Sequence, residues 1–308
     1  MKHIRIEHET HYNYQTDVLL AQHLGYLRVR DSTWQKRLSS EVSITPEVDS
    51  LHEDTDVFGN SRLFFTLTHA HQELTVIARS EVQKRPRYAG FDPARTPAWD
   101  AVQNSMRYSL EQPYVPASEF VWPSPYVPWL SELRDYALPS FTRGVPIAMA
   151  CLDLNHRIFK DFSYVPGVTE IHTPLAQAFV NRHGVCQDFS HIMIGCLRAM
   201  GLAARYVSGY LLTTPAPGQV RLRGADASHA WISVYCPGAP GDWLELDPTN
   251  DTIADMAHVC LATGRDFGDV SPLRGVIRGG GVHTLRIAVT SEELIESGAT
   301  SNTASKTL

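Results

Sequence analysis

Gly184-Val185-Cys186-Gln187-Asp188-Phe189-Ser190-His191 sets one cysteine at the start of an apolar stretch, directly after a turn that contains glycine. Phe189, Met193, Cys196, Leu197 and Met200 fall within about 80° of Cys186 on a helical wheel, so the stretch reads as a helix with Cys186 on its buried stripe. The first backbone N–H groups of a helix lack intrahelical partners and carry the positive end of its dipole. A thiol placed there ionises more readily than a free one of pKa ~8.5. Cys186 is therefore a candidate nucleophile. Asp188 and His191 project about 160° and 140° away from it and are expected to cap the helix, support it or meet solvent.

A partner for this thiol is expected from the strands downstream. In Ser228–Tyr235, extended backbone puts His229, Trp231, Ser233 and Tyr235 on one face and Ala230, Ile232 and Val234 on the other. Trp243, Glu245 and Asp247 alternate in the same way with Leu244 and Leu246, and Pro237-Gly238-Ala239-Pro240-Gly241-Asp242 between the two runs reads as a hairpin turn. If Tyr235 pairs with Trp243, Trp231 faces Asp247 and His229 lies diagonally beside Asp247; a shift of two residues puts them directly opposite. Either register gives a His–Asp pair. A carboxylate bonded to one imidazole nitrogen fixes the tautomer and leaves the other nitrogen to exchange a proton with a thiol. Cys186, His229 and Asp247 together thus spell acyl-transfer chemistry, with the oxyanion held by helix N-terminal amides such as that of Cys186.

Each residue also has a plainer reading. A single cysteine on an apolar stripe is more often structural, as expected for Cys196, and an Asp before Pro is usually turn chemistry. The competing function is a non-catalytic binding or scaffold protein that keeps the trio as structure. Trp231 is expected either to shield the His–Asp pair from water or only to pack. Tyr164, Tyr210 and Trp122 are weaker candidates for lining the cleft or donating to an oxyanion, and Gln187 for holding substrate.

The chain has 308 residues, 43% hydrophobic and 19% charged, with a net charge of −6. It is long enough for about two domains. No clustered Lys/Arg face suits a nucleic acid, and no uncharged run approaches the ~18–20 residues of a membrane span. The N-terminus lacks the apolar core of a secretory signal, so a cytoplasmic protein is expected. Cys151, Cys186, Cys196, Cys236 and Cys260 make an odd set with no C-x-x-C pair, which fits reduced thiols. His69 and His71 share a strand face but bring no third ligand, and Asp54-Thr55-Asp56-Val57-Phe58-Gly59-Asn60 lacks the spacing and final Glu of a calcium loop and reads as a hairpin turn. No metal or cofactor is expected.

Residues 1–85 read as an antiparallel β domain, with strands at His3–Thr10, Glu41–Thr45, Arg62–Thr68 and Leu74–Val82. Residues 86–145 are rich in proline and read as a connecting region with short helices at Pro97–Tyr108 and Trp129–Ala137. Its aromatic residues Trp99, Tyr114, Phe120, Trp122, Tyr126 and Trp129 are expected to be covered, since exposing them is costly. Residues 146–290 read as the core: helices at Pro146–Asp161 and from Thr173 to about Arg182, the Cys186 helix, and strands at Ala204–Leu212, His229–Cys236, Trp243–Asp247 and Thr284–Thr290. The polar stretch 291–308 is expected to be a disordered tail.

Gly184–His191, Gly201–Tyr210, Ser228-His229-Ala230-Trp231, Asp247-Pro248-Thr249-Asn250, Asp269–Gly275 with Gly279-Gly280-Gly281, and Phe58-Gly59-Asn60 resemble the transglutaminase-like superfamily, in its bacterial branch with an extra N-terminal β domain. The resemblance covers nearly the whole chain. It implies an α+β fold: a papain-like transglutaminase core, in which a helix bearing the Cys packs on an antiparallel sheet bearing His and Asp, preceded by a small β-sandwich-like domain. By position it implies Cys186, His229 and Asp247 as the triad and an acyl-enzyme mechanism. Family members include cross-linking enzymes, peptidases, deamidases and amidases. The expected partner is a peptide or protein amide substrate, with a primary-amine acceptor where transfer replaces hydrolysis; homo-oligomerisation is allowed. Arylamine N-acetyltransferases use the same three residues in the same order, but with the Cys much nearer the N-terminus.

Overall fold

One long strand, β1 (Lys2–Gly25), organises the N-terminal sheet. The protein is seen here as a computed structural model, which describes residues 1–108, 110, 113–213 and 228–294. Ile4, Ile6, His8 and Thr10 are buried at every second position of β1, the period of a strand with one covered face. It runs far past the expected end at Thr10. The polar Gln15-Thr16-Asp17 run sits where pairing shifts register between Asn13 and Val18, so the strand is interrupted rather than ended. The sheet continues with β2 (Gln35–Thr45), β3 (Ser50–Thr55), β4 (Ser61–Leu67) and β5 (His71–Lys84), in the order β2-β5-β1-β4-β3. The turn between β3 and β4 is the Asp56–Asn60 segment, where Asp56 Oδ1 accepts from the N–H groups of Phe58 and Asn60 at 2.9 and 2.8 Å.

Past the sheet come α1 (Trp99–Ser105) and α2 (Ser131–Ala137), shorter than expected because proline crowds both flanks. Trp122, Trp129 and Tyr114 are 68%, 58% and 63% exposed, against the expectation that this region's aromatics are covered. They border one open groove together with Tyr108 and Arg134. Then follow α3 (Ile147–Asp161), β6 (Ser163–Tyr164), α4 (Leu175–Asn181), β7 (His183–Gly184) and α5 (Cys186–Ala199).

The second sheet comprises β8 (Ala204–Leu211), β9 (Ser228–Tyr235), β10 (Trp243–Asp247), β11 (Thr252–Ile253) and β12 (His258–Gly264), in the order β11-β10-β9-β8-β12, with α6 (Phe267–Val270) after it. α5 packs on one face: Phe189, Ile192, Met193, Cys196 and Leu197 join Ala230, Ile232, Val234, Leu244 and Leu246 in one buried cluster. Each fully buried Val, Leu, Ile, Phe or Met among them contributes about 1.5–3 kcal/mol.

The chain then returns to the first sheet. β13 (Leu273–Gly279) pairs with the second half of β1, and β14 (His283–Glu293) with the first half, from Ile4↔Glu293 to Tyr14↔His283. The run Thr284–Thr290, expected with the core, is part of β14, so a boundary at 290 cuts through a strand of the N-terminal sheet. Ser291–Glu293 of the expected tail are paired strand, and the Leu294 N–H donates to the His3 carbonyl at 2.7 Å; 295–308 lie outside the described residues. No helix among the described residues is long and apolar enough to cross a membrane.

Candidate active site

Cys186 is the first residue of α5, and its neighbours fix the helix start. The Asp188 carboxylate accepts from the Val185 N–H at 2.8 Å and from Thr169 Oγ1 at 2.7 Å, so Asp188 caps the turn. A Cβ on Gly184 would lie 2.5 Å from Asp188 Oδ2, which is why this position carries no side chain. Parallel pairing of β6 with β7 sets Tyr164 beside Gly184. From Asp188 to Ala199 the helix is buried on every side, so the expected single stripe understates its burial. His191 supports rather than meets solvent: its Nε2 accepts from the Phe267 N–H at 3.2 Å, and its ring packs 5.1 Å from that of Tyr206. Burial, with Arg198 adding to it, pushes the His191 imidazole down to about 3.

His229 and Asp247 are placed by the β9–β10 hairpin. Tyr235 pairs with Trp243 and Ile232 with Leu246, which sets Asp247 level with Trp231 and His229 diagonally beyond. His229 Nε2 donates to Asp247 Oδ2 at 2.7 Å. Asp247 is fully buried, yet it collects further donors: His258 Nε2 at 3.0 Å and Asn250 Nδ2 at 2.7 Å on Oδ2, and the Thr249 and Asn250 N–H groups at 2.9 and 3.2 Å on Oδ1. Burial alone would raise its pKa; the bonds from His229 and His258 outweigh it and hold the carboxyl well below the usual range. For His229, burial opposes the charged form, but hydrogen bonds to Asp247 and then to Cys186 raise the imidazole to about 10. With Nε2 committed to Asp247, Nδ1 is the nitrogen left to face Cys186.

The trio meets at the ends of elements and not across the helix–sheet packing. Ala230 and Ile232 face α5, whereas Trp231 belongs to a separate cluster with Val207 and Ala254 on the opposite face. Trp231 is fully buried, its Nε1 donates to Glu245 Oε2 at 2.9 Å, and its ring lies 6.2 Å from that of His229 at an interplanar angle of 28°. The space for it is provided by Gly209, which pairs with His229 across β8 and β9. A Cβ there would meet Trp231 Cη2 at 2.5 Å and the Val259 carbonyl at 2.2 Å.

Cys186 and His229 open into a cavity of about 310 Å³ that Gln187 and Tyr164 also line. The Gln187 amide donates to the Ile171 carbonyl at 3.1 Å, so its side chain braces the cleft wall. Two expected lining residues are elsewhere. Trp122 borders the groove formed by the connecting region, and Tyr210 is buried under the N-terminal sheet with its hydroxyl bonded to His8 Nδ1 at 2.9 Å. Sequence reasoning missed His258, Tyr206 and the N-terminal residues His8, Thr10 and Tyr12, the last four of which line the cavity. Asn250 and Thr249 had a signal, standing in the Asx-turn positions after Asp247; His258 had none, because it reaches Asp247 from another strand. Donor atoms of His229, Asp247 and His258 lie within 4.8 Å of one another, a spacing that a metal ion can span. Here they are occupied by bonds to each other.

Residues 4–83 match the bacterial transglutaminase-like N-terminal region, and residues 146–248 match the transglutaminase-like superfamily. An uncharacterised protein of Mycobacterium tuberculosis is 39% identical over 279 residues, covering 89% of this chain and 87% of its own length. An uncharacterised protein of Mycobacterium leprae is 28% identical over 291 residues, covering 94% and 98%. The crystal structure of a "Putative Cysteine Protease from Cytophaga hutchinsonii" superposes with a TM-score of 0.70 at 19% identity, over 97% of this chain and 92% of that one, a likeness of fold. With the family's two regions matched in order and a relative this similar along most of its length, the chain belongs to the transglutaminase-like superfamily, in the bacterial group that carries this N-terminal region.

Proposed function

We propose that the protein is a cysteine-dependent enzyme that cleaves amide bonds through Cys186, His229 and Asp247. The observation that carries this reading is the position of His229, bonded on one side to a buried, ionised Asp247 and on the other to a cysteine at a helix N-terminus that borders a cavity. An imidazole raised to about 10 keeps its proton at neutral pH and faces the sulfur as imidazolium. Sulfur attacks the amide carbonyl carbon and the C–S bond forms, with the oxyanion facing helix N-terminal amides such as that of Cys186. His229 gives its proton to the departing nitrogen as the C–N bond breaks. Water then attacks the thioester carbon, His229 takes its proton, and the C–S bond breaks to free the acid and return the Cys186 sulfur beside the imidazolium.

Hydrolysis is the resolving step in this reading, because water is always present whereas amine transfer needs a second site that excludes it. A peptide or protein amide is the substrate; a primary amine taking the place of water gives transglutamination. We place the chemistry in the cytoplasm, where five unpaired cysteines stay reduced.

The test is intact-protein mass during iodoacetamide titration from pH 5 to 9, for wild type, Cys186→Ala and His229→Ala. One thiol alkylated rapidly below pH 7, lost in Cys186→Ala and slowed in His229→Ala, supports the nucleophile and leads to screens of peptides with and without amines. Cys186 reacting no faster than the other thiols favours the scaffold reading instead.

A further inference from the structure

We propose that the N-terminal sheet supplies a specificity subsite of the catalytic cleft, taking an uncharged, bulky apolar side chain next to the scissile amide. The inference rests on the reading of Cys186 as nucleophile and adds the class of substrate. β1 and β14 cross the cavity as neighbouring strands, with Tyr12 opposite Leu285 and Thr10 opposite Ile287. These four side chains, with Pro272 and Leu273, line the same cavity as Cys186 and His229. Leu285 and Ile287 are 46% and 51% exposed, although they stand on the sheet face whose next paired positions, His8 and Val289, are buried. Isolated exposed apolar residues are ordinary; two adjoining ones aimed into a cavity that holds a nucleophile make a binding wall.

Charge points the same way. Among the described residues, no Asp, Glu, Lys or Arg lines the cavity. His8 brings no charge either: its nitrogens contact the Tyr210 hydroxyl at 2.9 Å and Thr10 Oγ1 at 3.3 Å, and burial lowers the imidazole to about 4. The His229 imidazolium is balanced by Asp247. An acidic or basic substrate side chain here would lose its hydration and find no charged partner among the described residues, whereas an apolar one would cover Leu285 and Ile287. A cavity of about 310 Å³ is at the small end of ligand sites and suits one or two residues of a chain.

The test uses N-acetylaminoacyl chloromethyl ketones carrying a leucyl, glutamyl or lysyl side chain. The sulfur–carbon bond forms as chloride leaves, and the rate at Cys186 is read by intact mass relative to iodoacetamide on the same protein. In wild type the leucyl reagent should react about tenfold or more faster than either charged one. Ile287→Glu should raise the lysyl reagent relative to the leucyl, Ile287→Lys should raise the glutamyl, and Ile287→Val should keep the wild-type order. Equal rates in wild type, or ratios unmoved by both charged variants, overturn the subsite. Should iodoacetamide show that Cys186 is no nucleophile, the proposed reaction fails separately. Binding of the corresponding N-acetyl amides to Cys186→Ala, followed by NMR, then decides the subsite: preference for the leucinamide, reduced in Ile287→Glu, supports it, and no preference overturns it.

Discussion

Asp247 is the residue on which the site turns, because a fully buried carboxylate is tolerated only when donors surround it. Its hold on His229 sets a testable titration. The His229 imidazole, raised to about 10 against burial by Asp247 first and Cys186 second, should stay protonated through pH 8 by NMR. Its midpoint should fall in Cys186→Ala and further in Asp247→Asn; a wild-type midpoint near 6.5 would dismiss the ion-pair geometry. Because the folded-state value is raised, the stability it confers is complete below about 6.5 and is lost as pH climbs through about 10. The difference in urea-unfolding free energy between wild type and His229→Gln should therefore shrink from pH 7 to pH 10. Asp247 works in the opposite sense, its depressed pKa giving stability above the usual carboxylate value that is lost on acidification. His258 donates to the same oxygen as His229, and its own Nδ1 is buried without a hydrogen-bond partner among the described residues. We expect His258→Leu to move acid unfolding, followed by circular dichroism, to higher pH; an unmoved acid midpoint would reduce His258 to packing.

At the level of elements, two glycines do what no other residue permits. Gly184→Ala would drive a Cβ into the Asp188 carboxylate, unseating the cap that fixes the first turn of α5. Loss of such a cap costs about 1 kcal/mol, and the larger effect should be on the placement of Cys186. Alkylation of Cys186 should slow by about tenfold or more while the fold persists, since misplacing a reacting group by an ångström is costly; an unaltered rate would separate the cap from the nucleophile. Gly209→Ala instead presses on Trp231 and the Val259 backbone and should destabilise the fold as overpacking does, by about 1–3 kcal/mol in urea unfolding. The pairing of Tyr235 with Trp243 was readable because alternation and a proline–glycine turn fix a hairpin from local residues alone. The Cys186 helix was readable for the same reason. The expected strand ends at Thr10, whereas β1 is carried on to Gly25 by strands from far along the chain, and nothing in β13 or β14 announces that their partner lies some 270 residues earlier. His258 was hidden likewise, since a donor supplied by a distant strand leaves no periodic mark.

Over the whole molecule, the N-terminal sheet is tied to the core sheet through the otherwise open edge of β12. Gln35 bonds both backbone groups of Cys260, its Nε2 donating to the carbonyl at 2.7 Å and its Oε1 accepting the N–H at 2.9 Å. Asn60 does the same for Thr263, at 2.8 Å and 2.9 Å, and also accepts from Arg30 Nη1 at 2.8 Å. Edge strands need such cover, and buried amides imitating a neighbouring strand provide it. This explains physically why Phe58-Gly59-Asn60 stood out in a region without chemistry of its own: the turn that shapes β3 and β4 also presents Asn60 to the core. A buried apolar interface reinforces the tie, with Ile4, Ile6, Val82 and Val289 packed on Tyr210, Val259 and Leu261. Asn60→Ala leaves the Thr263 N–H and carbonyl without partners, at about 1–3 kcal/mol for each buried group. Urea unfolding should lose about 2–6 kcal/mol, provided the two sheets unfold as one cooperative unit. If they do, tryptophan fluorescence and far-ultraviolet circular dichroism should report a single shared transition in wild type. Two separated transitions in wild type would mean that the two sheets unfold as independent bodies, and no loss in Asn60→Ala would mean that the apolar interface and not Asn60 carries the tie.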